Sequence, residues 1–125
     1  MNAKIEQGRA LVLTGPQGCG KTKLAIELAK ARGNYSEVTA HELDSGKLTP
    51  WLAGEPQTCI VEGMPKTAQT KHMLKQMITT GRAMLRLQGH QSREIKAPTF
   101  IFCTGEEEIG PEIDQRRFNV VRMGA

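Results

Sequence analysis

Lys21 and Thr22 close an eight-residue run, Gly15-Pro16-Gln17-Gly18-Cys19-Gly20-Lys21-Thr22, whose residue types and spacing fit one chemistry. The glycines let the backbone wrap around a phosphate chain and turn successive N–H groups inward. Lys21 supplies a point charge for the β- and γ-phosphates, and Thr22 offers a hydroxyl to Mg²⁺. The run is a Walker A phosphate-binding loop. All eight residues are therefore expected to bind nucleotide, with ATP and Mg²⁺ as the implied ligands. The flanks agree. Residues 9–14, RALVLT, are a short apolar strand entering the loop. Residues 22–32 form a helix leaving it, with Gly33 as a C-terminal stop. Such a helix aims its N-terminal dipole at the phosphates.

Three further sets of residues bear on the same chemistry. Cys59-Ile60-Val61-Glu62 reads as a Walker B strand about forty residues after the loop. The acid at its tip, Glu62, would hold Mg²⁺ through water or polarise the attacking water. Gly63 stands where a second acid is usual, so one carboxylate does both jobs or another residue helps. Thr104 ends the apolar run Thr99-Phe100-Ile101-Phe102-Cys103. Strand tips frame the ligand crevice of an open parallel sheet, so Thr104 orients water near the γ-phosphate or simply caps the turn. Arg116 and Arg117, in Asp114-Gln115-Arg116-Arg117-Phe118, are suited to neutralise charge on a γ-phosphate, often in a neighbour's site. The plainer alternative is a solvated basic pair.

These residues must be positioned by strands and helices in alternation. The pattern gives a second strand over 37–43, a loop over 44–56 with a turn of helix near Thr49–Leu52, and a third strand over 58–61. Ala68, Met73, Leu74, Met77 and Ile78 recur at helical spacing across 66–80, and Gly81 ends that helix. Residues 82–88 and 92–96 alternate around Gly89-His90-Gln91 as a β-hairpin. A strand over 99–103, a turn of helix over 111–115 and a last strand over 118–123 follow. Helices alternating with buried apolar strands predict an α/β fold with a mainly parallel five-stranded sheet covered on both faces. The hairpin carries Arg82, Arg86, His90, Arg93 and Lys96 with Glu94 opposing. Arg86, His90, Arg93 and Lys96 are candidate contacts to a nucleic-acid backbone, since aromatic residues for base stacking are missing. An ordinary charged hairpin is the alternative. Met64, Met73, Met77 and Met84 read as core, and His41 and His72 as structural or exposed.

The bulk numbers bound the class. The chain of 125 residues is expected to be one domain spanning 1–125. Aromatic residues are 4%, so Leu, Ile, Val and Met must fill the core. A net charge of +4 suggests a polyanionic partner, although nucleotide binding explains part of it. No stretch approaches 18 apolar residues and the N-terminus is polar, which argues against a membrane span and a signal peptide. Cys19, Cys59 and Cys103 lack metal-ligand spacing and read as reduced, buried thiols of a cytoplasmic protein.

Together these motifs resemble the AAA+ ATPases, and within them the superfamily 3 helicases of viruses and mobile elements such as phages and plasmids. The resembling pieces are GPQGCGKT (15–22), CIVEG (59–63), residues 73–107 and DQRRF (114–118). The order of helix, hairpin and KAPTFIFCT looks like that group's pre-sensor-1 hairpin insertion. The resemblance implies a P-loop NTPase three-layer sandwich with that insertion before the sensor 1 strand. It makes Glu62 the Walker B acid, Thr104 the sensor 1 position, Arg116 or Arg117 the arginine finger, and His90 part of a pore-lining tip. It also implies ATP hydrolysis, self-assembly as a hexamer and action on single-stranded DNA or other nucleic acid. The expected protein is the core without the helical lid domain. Two other functions fit parts of the pattern. Residues 15–33 alone suit a small P-loop kinase, and the missing second acid suits a non-catalytic, nucleotide-dependent assembly module.

Overall fold

The computed structural model describes residues 5, 8–46, 52, 54–85, 92–105, 109 and 116–124. The first strand, β1 (Ala10–Thr14), is buried at every position and runs straight into the glycine-rich loop. Helix α1 (Lys21–Lys30) leaves that loop. Strand β2 (Tyr35–Thr39), the short helix α2 (Ala40–Asp44), strand β3 (Thr58–Glu62) and helix α3 (Ala68–Thr80) follow. Strands β4 (Arg82–Leu85) and β5 (Arg93–Lys96) pair antiparallel as a separate hairpin. Strands β6 (Thr99–Thr104) and β7 (Phe118–Arg122) complete the order.

Five strands form one sheet in the order β2-β3-β6-β1-β7, and every pairing is parallel. Strands buried on both faces must be apolar throughout, which is why β1, β3 and β6 read as unbroken apolar runs. Alternation divides their side chains between two cores. Leu11, Leu13, Ile60 and Ile101 meet Ala25 and Ala29 of α1 on one face. Val12, Val61, Phe100 and Phe102 meet Leu74, Met77 and Ile78 of α3, with Ala83 and Ile95 of the hairpin, on the other. The result is the α/β, P-loop NTPase-like fold expected from the motifs, with the hairpin between α3 and β6.

Three expectations needed correction. Residues 37–43 are not one strand: β2 stops at Thr39 and α2 begins. Thr39 Oγ1 accepts the Glu42 N–H at 3.1 Å, and the Thr39 N–H donates to Glu42 Oε1 at 3.2 Å. This reciprocal capping box starts a helix where apolar alternation alone continues the strand. Met84 is not core. It is 62% exposed, because β4 turns Ala83 inward and so turns its neighbours outward. Met77 is buried, and Met64 and Met73 pack half-buried against the same core. Cys19 is half-buried, unlike the buried Cys59 and Cys103. His41 and His72 are exposed. Of the expected helical turn at 49–52, Leu52 is described, and it is helical and buried; the rest of that turn, the turn at 111–115 and the hairpin turn at 89–91 lie outside the described residues.

Both ends of α3 are fixed by side chains and by one glycine. The Asp44 carboxylate accepts the N–H groups of Lys66 at 2.9 Å and Thr67 at 3.3 Å, and the Thr67 hydroxyl at 3.0 Å. Thr67 in turn caps the helix through the Thr70 N–H. At the other end Gly81 takes φ 71°, and its carbonyl accepts the Ala97 N–H at 2.9 Å. The hairpin is thereby closed at its root against the end of α3.

Candidate active site

The loop over 15–22 is shaped by its glycines. Gly15 lies at φ 154°, and a Cβ there would fall 2.5 Å from the Met123 carbonyl oxygen. No side chain fits between the tip of β1 and the end of β7. Gly20 caps α1 in the left-handed conformation, at φ 93°, and no side chain bonds the first turn of the helix. An uncapped helix start behind a glycine loop is a site for an anion.

Lys21 folds back over the loop, and its Nζ donates to the Gly15 carbonyl at 2.7 Å. Thr22 Oγ1 donates to Glu62 Oε1 at 2.8 Å, although the two residues are forty positions apart. The sheet explains this meeting. Register places Thr14 beside Thr104 and Glu62 beside Cys103, so the tips of β1, β3 and β6 are level. Residues 62, 60 and 101 point to the α1 face, where Thr22 stands.

Cys103 sits under this contact. Burial pushes its thiol up to about 12, the Glu62 carboxylate adds to the shift, and Lys21 offsets part of it. It is therefore a neutral, apolar floor and not a nucleophile. The sequence marks it only as a strand residue; its place beneath Thr22 follows from parallel register. Thr104 is 3% exposed, and its hydroxyl has no hydrogen-bond partner among the described residues. A buried hydroxyl left without a partner costs about 1–3 kcal/mol, a cost that a ligand or water at this place would remove.

A depression of about 590 Å³ is bounded by Gln17, Gly18, Lys21, Thr22, Glu62 and Thr104. These residues fit a nucleoside triphosphate with a divalent cation. The loop supplies N–H groups and a cation, Thr22 and Glu62 supply hard oxygen ligands, and Thr104 supplies an unsatisfied hydroxyl. Pro16 and Cys19 complete the loop, joined through the Cys19 N–H and the Pro16 carbonyl at 3.2 Å.

Gly63 follows Glu62 at φ 92° and donates its N–H to the Cys103 carbonyl at 2.8 Å. An acid at this position would be held in a left-handed backbone at a cost of about 1–2 kcal/mol. The place of the second acid is thus used to turn the chain.

The remaining candidates lie elsewhere. β7 runs parallel to β1 with Phe118 beside Ala10, so Arg116 and Arg117 are at the end of the sheet remote from the loop. At about 3.3 Å per residue, the length of β1 separates them from their own phosphate loop by about 16 Å. Arg117 Nε donates to Thr79 Oγ1 at 2.8 Å. Arg93 of the hairpin pairs with Glu55 at 3.2 Å, a partner that sequence spacing did not suggest. Lys96 is opposite Arg82 at the hairpin root. Arg86 and His90 lie outside the described residues.

No family model and no curated protein matches the chain. Solved structures do. The apo A form of the NrS-1 C-terminal region aligns over 94% of this chain with 28% identity and a TM-score of 0.73. A second apo structure of the same region gives 27% identity and the same TM-score. JCV helicase bound to a thiazolopyridine-phenoxyphenyl acetamide aligns over 96% of the chain with 18% identity and a TM-score of 0.67. The alignments cover 29%, 30% and 37% of those chains, so this chain spans about a third of their length. It has the fold of part of a helicase.

Proposed function

We propose that this chain binds and hydrolyses ATP with Mg²⁺ as an AAA+ core of the superfamily 3 helicase type, in a homo-oligomer that works on nucleic acid. The observation that carries the reading is the hydrogen bond between Thr22 and Glu62 beside a complete phosphate loop. Thr22 uses its proton on Glu62, which leaves the lone pairs of its oxygen for a cation. Thr22 and, through water, Glu62 would hold Mg²⁺, which would offset the negative charge that develops on the phosphates.

The chain's own groups divide the remaining work. Lys21 exchanges the Gly15 carbonyl for phosphate oxygens. Glu62 orients Thr22 and takes the proton of the attacking water. Thr104 places that water or a γ-phosphate oxygen. Arg116 or Arg117 completes the site of the adjacent copy, which accounts for their distance from the loop of their own chain. Nucleic acid meets the hairpin, where Arg86, His90, Arg93 and Lys96 supply the charge. Residues 1–125 act as one unit. The likenesses to the NrS-1 C-terminal region and to JCV helicase support the fold on which the reading rests.

Gly63 favours a second reading, a nucleotide-dependent assembly module without turnover, because it withholds the second acid. One paired measurement separates the two: particle size by light scattering with and without ATP, beside ATPase activity with and without single-stranded DNA. Assembly with turnover supports the first reading, and assembly without turnover replaces it with the second.

A further inference from the structure

A second cavity, of about 600 Å³, opens at the end of the sheet remote from the phosphate loop. The start of β1, the residues after α1, the last turn of α3, the hairpin root and the start of β6 wall it. Arg9, Arg32, Arg82 and Lys96 reach it from four separate segments, and Glu94 is the one acid among the described residues that line it.

Among the described residues of the lining, positive charge exceeds negative. Arg82 and Lys96 are directly opposed in the β4–β5 register, an arrangement of like charges that destabilises a hairpin. Glu94 meets Arg82 at 3.5 Å with both side chains more than half exposed, so it relieves little of this repulsion. Arg32 Nη2 donates to Thr99 Oγ1 at 3.3 Å, which places the guanidinium at the rim and uses one of its five donors. Arg9 Nη2 donates to the Phe118 carbonyl at 3.3 Å, so its head is also fixed to the sheet end. Among the described residues Phe100 is the one aromatic ring of the lining, and it is buried. The cavity therefore offers positive charge and hydrogen-bond donors without a stacking platform. Such a surface recognises phosphate, not base.

We infer that this cavity holds the backbone phosphates of a single-stranded nucleic acid, with Arg9, Arg32, Arg82 and Lys96 as the contacts. The inference rests on the nucleic-acid reading above. It moves the principal contact from Arg93, which Glu55 engages, to the hairpin root. A strand suits the site better than a lone phosphate, because four cations from four segments surround a volume that one phosphate does not fill. An anion between Arg82 and Lys96 would also remove the repulsion built into the root.

The test is fluorescence anisotropy of a labelled oligothymidylate with the full chain over a range of salt. The Arg32→Gln/Arg82→Gln variant should bind on the order of tenfold more weakly at about 0.1 M salt, with a salt slope smaller by about 1.4, the value for two lost single-strand contacts. The Lys71→Gln/Lys75→Gln variant removes the same charge from exposed positions of α3 and should change affinity by less than about twofold. Glu94→Gln should tighten binding, a gain that damage to the fold cannot produce. Equal losses in the two double variants, or no gain from Glu94→Gln, would overturn the assignment while leaving the nucleic-acid reading intact. Absence of wild-type binding at low salt would overturn both. Titration with inorganic phosphate alone is the last arm. Saturable phosphate binding lost in Arg32→Gln/Arg82→Gln, with strand binding unchanged, would make the cavity a site for free phosphate instead.

Discussion

The two ends of the central sheet are built in opposite ways. At the end with the strand tips, eight consecutive residues form the loop, and bonds of 2.7 and 2.8 Å hold Lys21 and Thr22 in place. At the other end, four cations arrive from four segments, and three of them, Arg9, Arg32 and Arg82, make contacts of 3.3 to 3.5 Å from half-buried or exposed side chains. The first end is organised by backbone geometry and suits an anion of fixed shape. The second is organised by charge and tolerates a ligand that shifts. Substitutions should therefore act steeply at the first end and gradually at the second.

The largest effect belongs to Lys21. Lys21→Ala removes the one side-chain cation of the loop, and turnover should fall by about 10²–10³-fold, the scale for losing a preorganised electrostatic partner. The melting temperature should barely move, because the bond to Gly15 lies on a half-exposed surface. Activity close to wild type in a folded Lys21→Ala protein would place the chemistry elsewhere. Next comes Glu62→Gln. It keeps an acceptor for Thr22 but loses the base, so nucleotide binding should persist while turnover falls by about 10²-fold. Equal loss of binding and turnover would make Glu62 a cation ligand alone.

The same contrast explains what could be read before any coordinates. The glycine-rich turn between β1 and α1 was legible because its eight residues are contiguous and each position has a local reason. Glu62 and Thr104 were legible because apolar runs ending in a polar residue mark strand tips, and parallel register levels those tips. The cluster of Arg9, Arg32, Arg82 and Lys96 was not, since no spacing links residues that meet only after the sheet has formed. Residues 37–43 were misread because alternation in a short apolar run does not separate strand from helix; the Thr39–Glu42 capping box decides it. Met84 was misread because a two-stranded hairpin buries one face alone.

Arg116 and Arg117 test whether the two ends communicate between copies. An Arg116→Ala/Arg117→Ala subunit keeps its loop, and a Lys21→Ala subunit keeps its arginines. Each should be inactive by itself. Mixed in equal amounts, random assembly makes about one interface in four complete, so activity should return to about a quarter of wild type. Mixed assemblies without any recovery would mean that one chain completes its own site, against the separation of Arg117 from the loop along β7.

The smallest effect concerns α3, which spans the two ends from Asp44 at its start to Gly81 at its finish. Slight burial raises the Asp44 carboxyl, but the N–H groups of Lys66 and Thr67 and the hydroxyls of Thr67 and Thr70 outweigh it. The net pKa lies below the ordinary 3.8. The unfolded chain therefore binds this proton more readily than the folded one. The stabilisation is present above pH 3.8 and is lost as pH falls through the lower, folded value. Asp44→Asn keeps an acceptor oxygen and gives up the charge. In denaturant titrations the variant should be slightly less stable than wild type at neutral pH, with a constant difference down to about pH 5. The difference should then shrink as the wild-type carboxylate is protonated. A difference that stays the same from neutral pH to the acid limit of folding would show that Asp44 acts through shape alone. The start of α3 would then be held as the phosphate loop is held, by geometry, and charge would matter only at the hairpin root.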